Sequence, residues 1–333
     1  MGSVNRNRKN RKEGPVTYND PDGSVPALRT SGLGRRYGRM WGLRDCTLEV
    51  PAGVIAGLVG PNGAGKTTLL EMIIGLLEPT EGEVSVFGET SRAETAQTLA
   101  RVGYVAQDHP LYRDFTVAEM FHLGRAMNPS WDQQLATARA DTLGIGLRRK
   151  VKSLSGGQRA QVSLTMALAK RAPLLVLDEP VSSLDPVARL EFMRDVMTSA
   201  AADAERTFLI SSHVVSELER FCDWLIVLSG GHVQLAGPAG DLLAAHQLLT
   251  VPRGTPDAEL PGTAIHRTDT DPPNDTVLVR TDPALLAGQQ RPGWQTGPVS
   301  FEQLVMAYLQ RQTTQDDPAP AQRPGPSTKA VTR

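Results

Sequence analysis

The sequence predicts an α/β protein, with a mostly parallel sheet, an antiparallel β subdomain and an inserted helical subdomain. Three stretches lead to that expectation. Gly53 to Val59 is a strand-length apolar run that passes through a glycine-rich turn into a helical stretch stopping near Gly75. Leu174 to Leu177 is a continuous apolar run, the texture of a parallel strand buried on both faces. Between them, residues 108–172 carry helix signals and no strand pattern.

In chain order, residues 1–26 are polar. They cluster Arg6, Arg8, Lys9, Arg11 and Lys12 ahead of Pro15, Pro21 and Pro26, and read as a disordered basic tail. Such a charge run is either a solvated tail or a contact for anionic lipid. Organised sequence begins near Ala27, with strands expected at 27–33 and 44–50 flanking a loop from Gly34 to Gly38. A strand and turn over Glu83 to Gly88 follow the glycine turn and its helix. Val102 to Val105 is a short strand ending at Ala106-Gln107.

Thr116 and Glu119 make a capping-box pattern ahead of one helix, which Pro129 to Asp132 breaks before a second helix reaching about Leu143. A third helix starts in the stretch Leu154 to Gln158 and runs to about Lys170. Asp185-Pro186 opens the next one, with Leu190, Met193 and Met197 on its apolar face. Strand 207–211, helix 214–221 and strand 224–228 complete the alternation, and Gly230-Gly231 signals a hairpin into 232–236.

From about His246 prolines and glycines multiply, and Thr276 to Arg280 reads as a strand. Ser300 to Gln310 is a capped helix with a stripe of Phe301, Leu304, Val305, Tyr308 and Leu309. That stripe covers the main domain or a small appendage, with a partner-binding face as the alternative. Residues 312–333 are Pro-rich and polar, hence a second disordered tail. The expected division is a domain over 27–245 and an appendage over 246–311, between two tails.

The bulk composition narrows the function classes. A chain of 333 residues suggests about two domains, and 40% hydrophobic content supplies a sizeable core. With 35 Lys+Arg against 36 Asp+Glu, the formal charge of −1 gives no general attraction to nucleic acid or membrane. Aromatic content of 5% argues against a stacking platform for single strands. Cys46 and Cys222 lie far apart in apolar segments, which suits buried thiols in a reducing compartment. No apolar run reaches bilayer-spanning length, and none follows the basic N-terminal residues, so a soluble cytoplasmic protein is expected.

The chemistry begins at Gly60-Pro61-Asn62-Gly63-Ala64-Gly65-Lys66-Thr67. This run fills every fixed position of the phosphate-loop pattern Gly-x-x-x-x-Gly-Lys-Ser/Thr, between a strand and a helix. The glycines let backbone N–H groups curl around an anion, and the helix N-terminus, continuing through Thr68, adds its partial positive charge. Lys66 is expected at the β- and γ-phosphates and the Thr67 hydroxyl on Mg²⁺. Asp178-Glu179 closes the buried strand at its carboxyl end, where open α/β sheets place their ligands. Asp178 is expected in the Mg²⁺ shell and Glu179 to polarise the attacking water. Alone, two such acids are an ordinary strand end; the phosphate loop makes them part of a nucleotide site.

Leu154-Ser155-Gly156-Gly157-Gln158 matches the signature sequence of ATP-binding-cassette (ABC) ATPases. The order Tyr37, phosphate loop, Gln107, signature, Asp178-Glu179, Ser183-Leu184-Asp185 and His213 resembles that family over about residues 27–245. The resemblance implies a P-loop NTPase of the ABC ATPase type that hydrolyses ATP with Mg²⁺. It implies that Tyr37 stacks on adenine, that Gln107 touches Mg²⁺ and the attacking water, and that His213 contacts the γ-phosphate beside the catalytic Glu179 and Lys66. Ser155 and Gly157 would bind ATP held by a second ABC ATPase domain, a dimer with Asp185 along its seam. Asn128 to Asp132 and Leu184 to Arg189 look similar to ATPase subunits of bacterial ABC-2-type exporters. That likeness implies separate polytopic membrane permease subunits, a peripheral place on the inner face of the cell membrane, and no nucleic-acid partner. Two rivals remain. A soluble ABC ATPase acting on ribosome or DNA resembles two fused cassettes or carries a coiled-coil insertion, and this chain shows neither. A regulatory nucleotide-binding module would leave Glu179 and His213 without a role.

Overall fold

Strands that are apolar on both faces form the middle of the molecule, and everything else is layered on them. The computed structural model describes residues 16–17, 25–91, 95–271, 273–282 and 291–311, so most of the expected N-terminal tail and all of the C-terminal one lie outside the described residues. Within that tail, Val16–Thr17 (β1) forms a strand, pairing in parallel with Leu235 and Ala236. Disorder fails as an expectation there because an edge strand offers backbone groups to any extended segment beside it.

Leu28–Tyr37 (β2) and Met40–Val50 (β3) form a long antiparallel hairpin. The loop expected from Gly34 to Gly38 is instead strand as far as Tyr37, and the turn shrinks to Gly38-Arg39. Two features allow this: Gly38 takes φ 61°, and Arg36 lies over the ring of its cross-strand partner Trp41. Ile55–Val59 (β4) enters the glycine turn and Lys66–Ile73 (α1) leaves it. Glu81–Val86 (β5) and Glu89–Thr90 (β6) complete an antiparallel sheet of order β3-β2-β5-β6.

Ala96–Arg101 (α2) leads to Val102–Val105 (β7). Val117–Met127 (α3), Gln133–Thr142 (α4) and Gly156–Ala169 (α5) then follow. Their starts are set by side-chain caps: Thr116 with Glu119, Asp132 accepting from the Leu135 amide, and Ser155 with Gln158. Val117, Phe121, Ala136, Ala140 and Val162 give this block a small apolar cluster of its own.

Leu174–Leu177 (β8), Pro186–Ala202 (α6), Thr207–Ser212 (β9), Trp224–Ser229 (β10) and His232–Pro238 (β11) restore the alternation. The main sheet runs β1-β11-β10-β4-β9-β8-β7, parallel except where β11 turns back on β10. Successive side chains point to opposite faces, so each strand feeds two cores. Leu175 and Leu177 join Ile55, Val59, Leu164, Phe192 and Phe208 under α5 and α6. Leu174 and Val176 join Leu58, Leu69, Met72 and Val84 between α1 and the antiparallel sheet.

Two local expectations are corrected. Helix α6 buries Phe192 and Val196, one turn apart, with Met193 and Met197 packed beside them. Leu190, half a turn from Phe192, is 69% exposed. The helix expected at 214–221 is a single 3₁₀ turn, Val215–Glu217. Ser212 Oγ accepts from the Val214 amide at 2.9 Å, a local bond that competes with helical pairing.

Ala239–Ala244 (α7) leads into His246–Pro252 (β12), Thr263–Asp271 (β13), Asn274–Arg280 (β14) and Gln295–Pro298 (β15). These strands form an antiparallel sheet of order β13-β14-β12-β15, of which the sequence pattern reveals only β14. Phe301–Gln310 (α8), capped by Ser300 and Gln303, then returns to the main sheet. Phe301, Leu304, Val305 and Tyr308 are buried with Val215, Leu225 and Leu235, and Leu309 packs at the edge. The His246 ring donates to the Leu242 carbonyl at 2.6 Å and accepts from the Tyr308 hydroxyl at 2.9 Å, which fastens α8 to the start of β12. Burial pushes that imidazole's pKa below its ordinary value. No described helix is long and apolar enough to cross a membrane.

Candidate nucleotide site

Strands β4, β7, β8 and β9 are parallel neighbours, so the segments that follow them meet on one edge of the sheet. That edge gathers the Gly60–Thr67 turn, Gln107, Asp178-Glu179 and His213. Gly65 caps α1 with φ 103°, and a Cβ there would lie 2.5 Å from the Gly42 carbonyl, so both backbone and space demand glycine. Ala64 is buried and donates its amide to the Pro61 carbonyl at 3.1 Å, while Asn62 and Gly63 face solvent. Among the described helices of eight or more residues, α1 alone starts without a side-chain cap. Its first-turn amides, from Lys66 through Thr68, stay directed at the loop, which suits an anion.

The Lys66 side chain is 5% exposed and donates to the Gly60 carbonyl at 2.7 Å and the Pro61 carbonyl at 3.3 Å. It also lies 3.1 Å from Glu179 Oε1, and Glu179 Oε2 accepts from His213 Nδ1 at 3.0 Å. One carboxylate therefore bridges the lysine of the loop and the histidine after β9.

Glu179 occupies φ 42°, a left-handed conformation that costs a side-chain-bearing residue about 1–3 kcal/mol. Bonds on both sides hold it there. Its amide donates to Ser211 Oγ at 2.8 Å, and its carbonyl accepts from the Ser182 amide at 3.1 Å and from Ser182 Oγ at 3.0 Å. Ser211 Oγ donates in turn to Asp178 Oδ1 at 2.7 Å. Asp178 is 3% exposed, and burial pushes its pKa above the ordinary carboxylate value, against the opposing hydrogen bonds from Ser211 and Thr67.

The Thr67 hydroxyl, the Asp178 carboxylate and the Gln107 amide offer oxygen donors. Among the described residues no cluster of three or more His, Cys, Asp or Glu could hold a metal by itself. A set of hard oxygens with a single carboxylate fits Mg²⁺, which keeps water and takes phosphate oxygens as further ligands. Tyr37 reaches the loop through Gly42, where a Cβ would stand 2.7 Å from the tyrosine ring and 3.5 Å from Thr68 Oγ1. The Arg35 guanidinium lies 5.4 Å from the centroid of that ring.

Ser155, Gly157 and Asp185 form a second group. Ser155 closes the capping box of α5, and Gly157 lets α5 approach α6 so closely that a Cβ would meet Ala188 Cβ at 2.9 Å. Asp185 Oδ1 accepts from the Val187 and Ala188 amides, both at 3.0 Å. Among the described residues, no hydrogen bond from these three reaches the phosphate loop of the same chain. Sequence reasoning gave Ser211, Ser182 and His109 no role. The only signal for Ser211 is its place at the end of a buried strand just before His213; Ser182 and His109 have none beyond proximity to Glu179 and Gln107.

The family model described as ABC transporter matches residues 43–182. The chain is 35% identical over 233 residues to the Nod factor export ATP-binding protein I of Ralstonia nicotianae, a match covering 66% of this chain and 70% of that protein. The chain belongs to the ATP-binding subunits of ABC transporters. A solved ATP-binding subunit of an ABC transporter superposes with a TM-score of 0.58, at 27% identity, over 65% of this ABC subunit and 91% of that one. A cobalamin import ATP-binding protein of Halobacterium salinarum is 37% identical, over 60% of this chain and 52% of that protein. The phosphate loop of this ABC subunit, its Gln107 turn, its signature and Asp178-Glu179 all fall within the residues matched to the family. His213, Tyr37 and the sheet β12–β15 fall outside them.

Proposed function

We propose that this ABC subunit hydrolyses ATP as one half of a head-to-tail dimer and drives export through separate polytopic membrane subunits, from the inner face of the cell membrane. The observation that carries the reading is the Glu179 carboxylate held between Lys66 and His213, at 3.1 Å and 3.0 Å. In that reading Lys66 exchanges the Gly60 and Pro61 carbonyls for the β- and γ-phosphates, and the uncapped start of α1 receives the remaining phosphate charge. Glu179 takes the proton of the attacking water as the water's oxygen bonds to the γ-phosphorus and ADP leaves. His213 orients that carboxylate and faces the γ-phosphate, and Tyr37 stacks on the adenine ring. Thr67, Asp178 and Gln107 would hold Mg²⁺, which would supply positive charge to offset that of the phosphates.

The second group, with no bond to its own loop, is suited to the loop of another copy. Ser155 and Gly157 at the start of α5 would donate to the phosphates held there, with Asp185 along the seam. The Nod factor export relative supports the export direction and covers more of this chain than the cobalamin import relative does. Lys66→Ala tests the site: hydrolysis should fall at least about a hundredfold, the usual cost of removing one preorganised charge contact. Wild-type turnover in that variant would overturn the assignment. Isolation from membranes with a polytopic subunit attached supports the transport reading, and recovery with ribosomes or DNA instead would replace it.

A further inference from the structure

The turns that carry Gln107 and Glu179 are joined twice. The Gln107 side-chain amide donates to Ser182 Oγ at 3.3 Å, and Ser182 Oγ donates to the Glu179 carbonyl at 3.0 Å. Separately, His109 Nε2 lies 3.0 Å from the Pro180 carbonyl. A carbonyl oxygen only accepts, so Nε2 carries the proton and Nδ1 presents a lone pair. That lone pair is buried without a hydrogen-bond partner. The residue is 5% exposed, its φ is 45°, and its ring packs 6.3 Å, centroid to centroid, from Phe192 of α6. An apolar ring would fill this space with no orphaned nitrogen. Histidine carries the cost of an unsatisfied buried atom, and what it gains is a bond to the residue next to Glu179.

We propose that His109 is a positioning residue that locks the Glu179 turn to the Gln107 turn, so that the carboxylate reaches its working place only when the Gln107 turn is in register. The inference rests on the reading of Glu179 as the group that takes the proton from water. Glu179 needs such a lock because its left-handed backbone relaxes unless it is held from both sides. Ser211 holds the amide side; Ser182 and His109 hold the carbonyl side, and both of these answer to the segment 107–109. Without the imidazole donor, Pro180 loses its partner and the carboxylate drifts from Lys66 and His213. Misplacement by about an ångström costs up to roughly a hundredfold in rate. Among the described residues, no hydrogen bond joins His109 to the phosphate loop, which in that reading holds the nucleotide.

The test uses the 333-residue chain and three variants, with ATPase kinetics, ATP affinity and melting temperature measured for each. His109→Phe keeps a ring against Phe192 and removes the donor. His109→Gln places an amide N–H where the imidazole Nε2–H stands. The expected result is a kcat about 10- to 100-fold lower in His109→Phe, with KM and ATP affinity within about twofold, and recovery of most of that loss in His109→Gln. A wild-type kcat in His109→Phe overturns the proposal. So does a loss that glutamine fails to restore while both variants melt lower by the same amount, because packing would then explain it. Glu179→Gln separates the layers of the argument. If it still hydrolyses ATP, the role of Glu179 itself fails; if it is inactive and His109→Phe is not, only the lock fails.

Discussion

Glu179→Gln separates binding from chemistry, and the structure fixes what each should do. The carboxylate lies 3.1 Å from the Lys66 ammonium, with side chains 12% and 5% exposed. At an effective dielectric near 20, two unit charges at that distance attract by about 5 kcal/mol. Desolvating both offsets most of that, leaving a net value of about 1 kcal/mol in order of magnitude. ATP must take Lys66 away from this carboxylate, so removing the charge should leave ATP affinity unchanged or raise it by up to about tenfold. Hydrolysis should move the other way. Glutamine keeps the shape and the hydrogen-bonding capacity but takes no proton, and a positioned general base is worth about 10²- to 10⁴-fold. Fluorescent-nucleotide titration gives the affinity, phosphate release gives the rate, and size-exclusion chromatography with ATP shows whether the stalled chain accumulates as a dimer. Hydrolysis above about a tenth of the wild-type rate would refute the role of Glu179 as base. An ATP affinity lowered more than tenfold would refute the reasoning that the carboxylate competes with nucleotide for Lys66.

Three further outcomes are expected. Ser155→Arg puts bulk and positive charge at the start of α5 and should abolish the ATP-dependent dimer of Glu179→Gln while leaving ATP binding to the single chain largely intact; a dimer that survives it removes the shared site. Leu304, fully buried on the inner face of α8, should cost about 2–5 kcal/mol on truncation to alanine in urea or thermal unfolding, and a loss below about 1 kcal/mol would show that α8 is not part of the main core. Burial pushes both the Cys46 and Cys222 thiols up to about 12, so roughly one thiol in ten thousand is thiolate at pH 8. Neither should react with a disulfide reagent until the chain unfolds; fast labelling of the native protein would contradict their burial.

What the sequence made legible follows the range of the forces involved. Caps are local and chemical, so Thr116, Asp185 and Ser300 announced α3, α6 and α8 to within a residue or two. The apolar run of β8 and the glycine turn before α1 are equally plain, because burial on both faces and a tight left-handed turn each leave few residue choices. The sheet β12–β15 was mostly hidden. Its outer strands carry little periodic signal: Gln295–Pro298 shows no alternation, and Thr263–Asp271 buries Ile265 but departs from regular register. The β2–β3 hairpin was cut short by its Gly-Arg-Arg-Tyr run, which carries turn chemistry while its stacking partner, Trp41, lies in the facing strand.

The site shows the same division more sharply. A phosphate-loop pattern and an acidic strand end demand particular residue types at fixed spacings, so Lys66, Thr67, Asp178 and Glu179 stand out one by one in the sequence. The residues that hold these in place are chosen by three-dimensional coincidence. Ser211 sits 33 positions from Asp178, yet one hydroxyl both donates to that carboxylate and accepts from the Glu179 amide. Glu217 is the extreme case. Its carboxylate accepts from Ser212 Oγ at 2.8 Å and pairs with Arg189 of α6 at 2.8 Å, within a 3₁₀ turn that opens on Val215. Val215 shares its core with Phe301 and Leu304 of α8, a helix more than eighty residues further along the chain. The segment that follows His213 is therefore tied to the helix after Asp185 by charge and to the C-terminal helix by apolar packing. A change in either is felt next to the histidine that hydrogen-bonds Glu179.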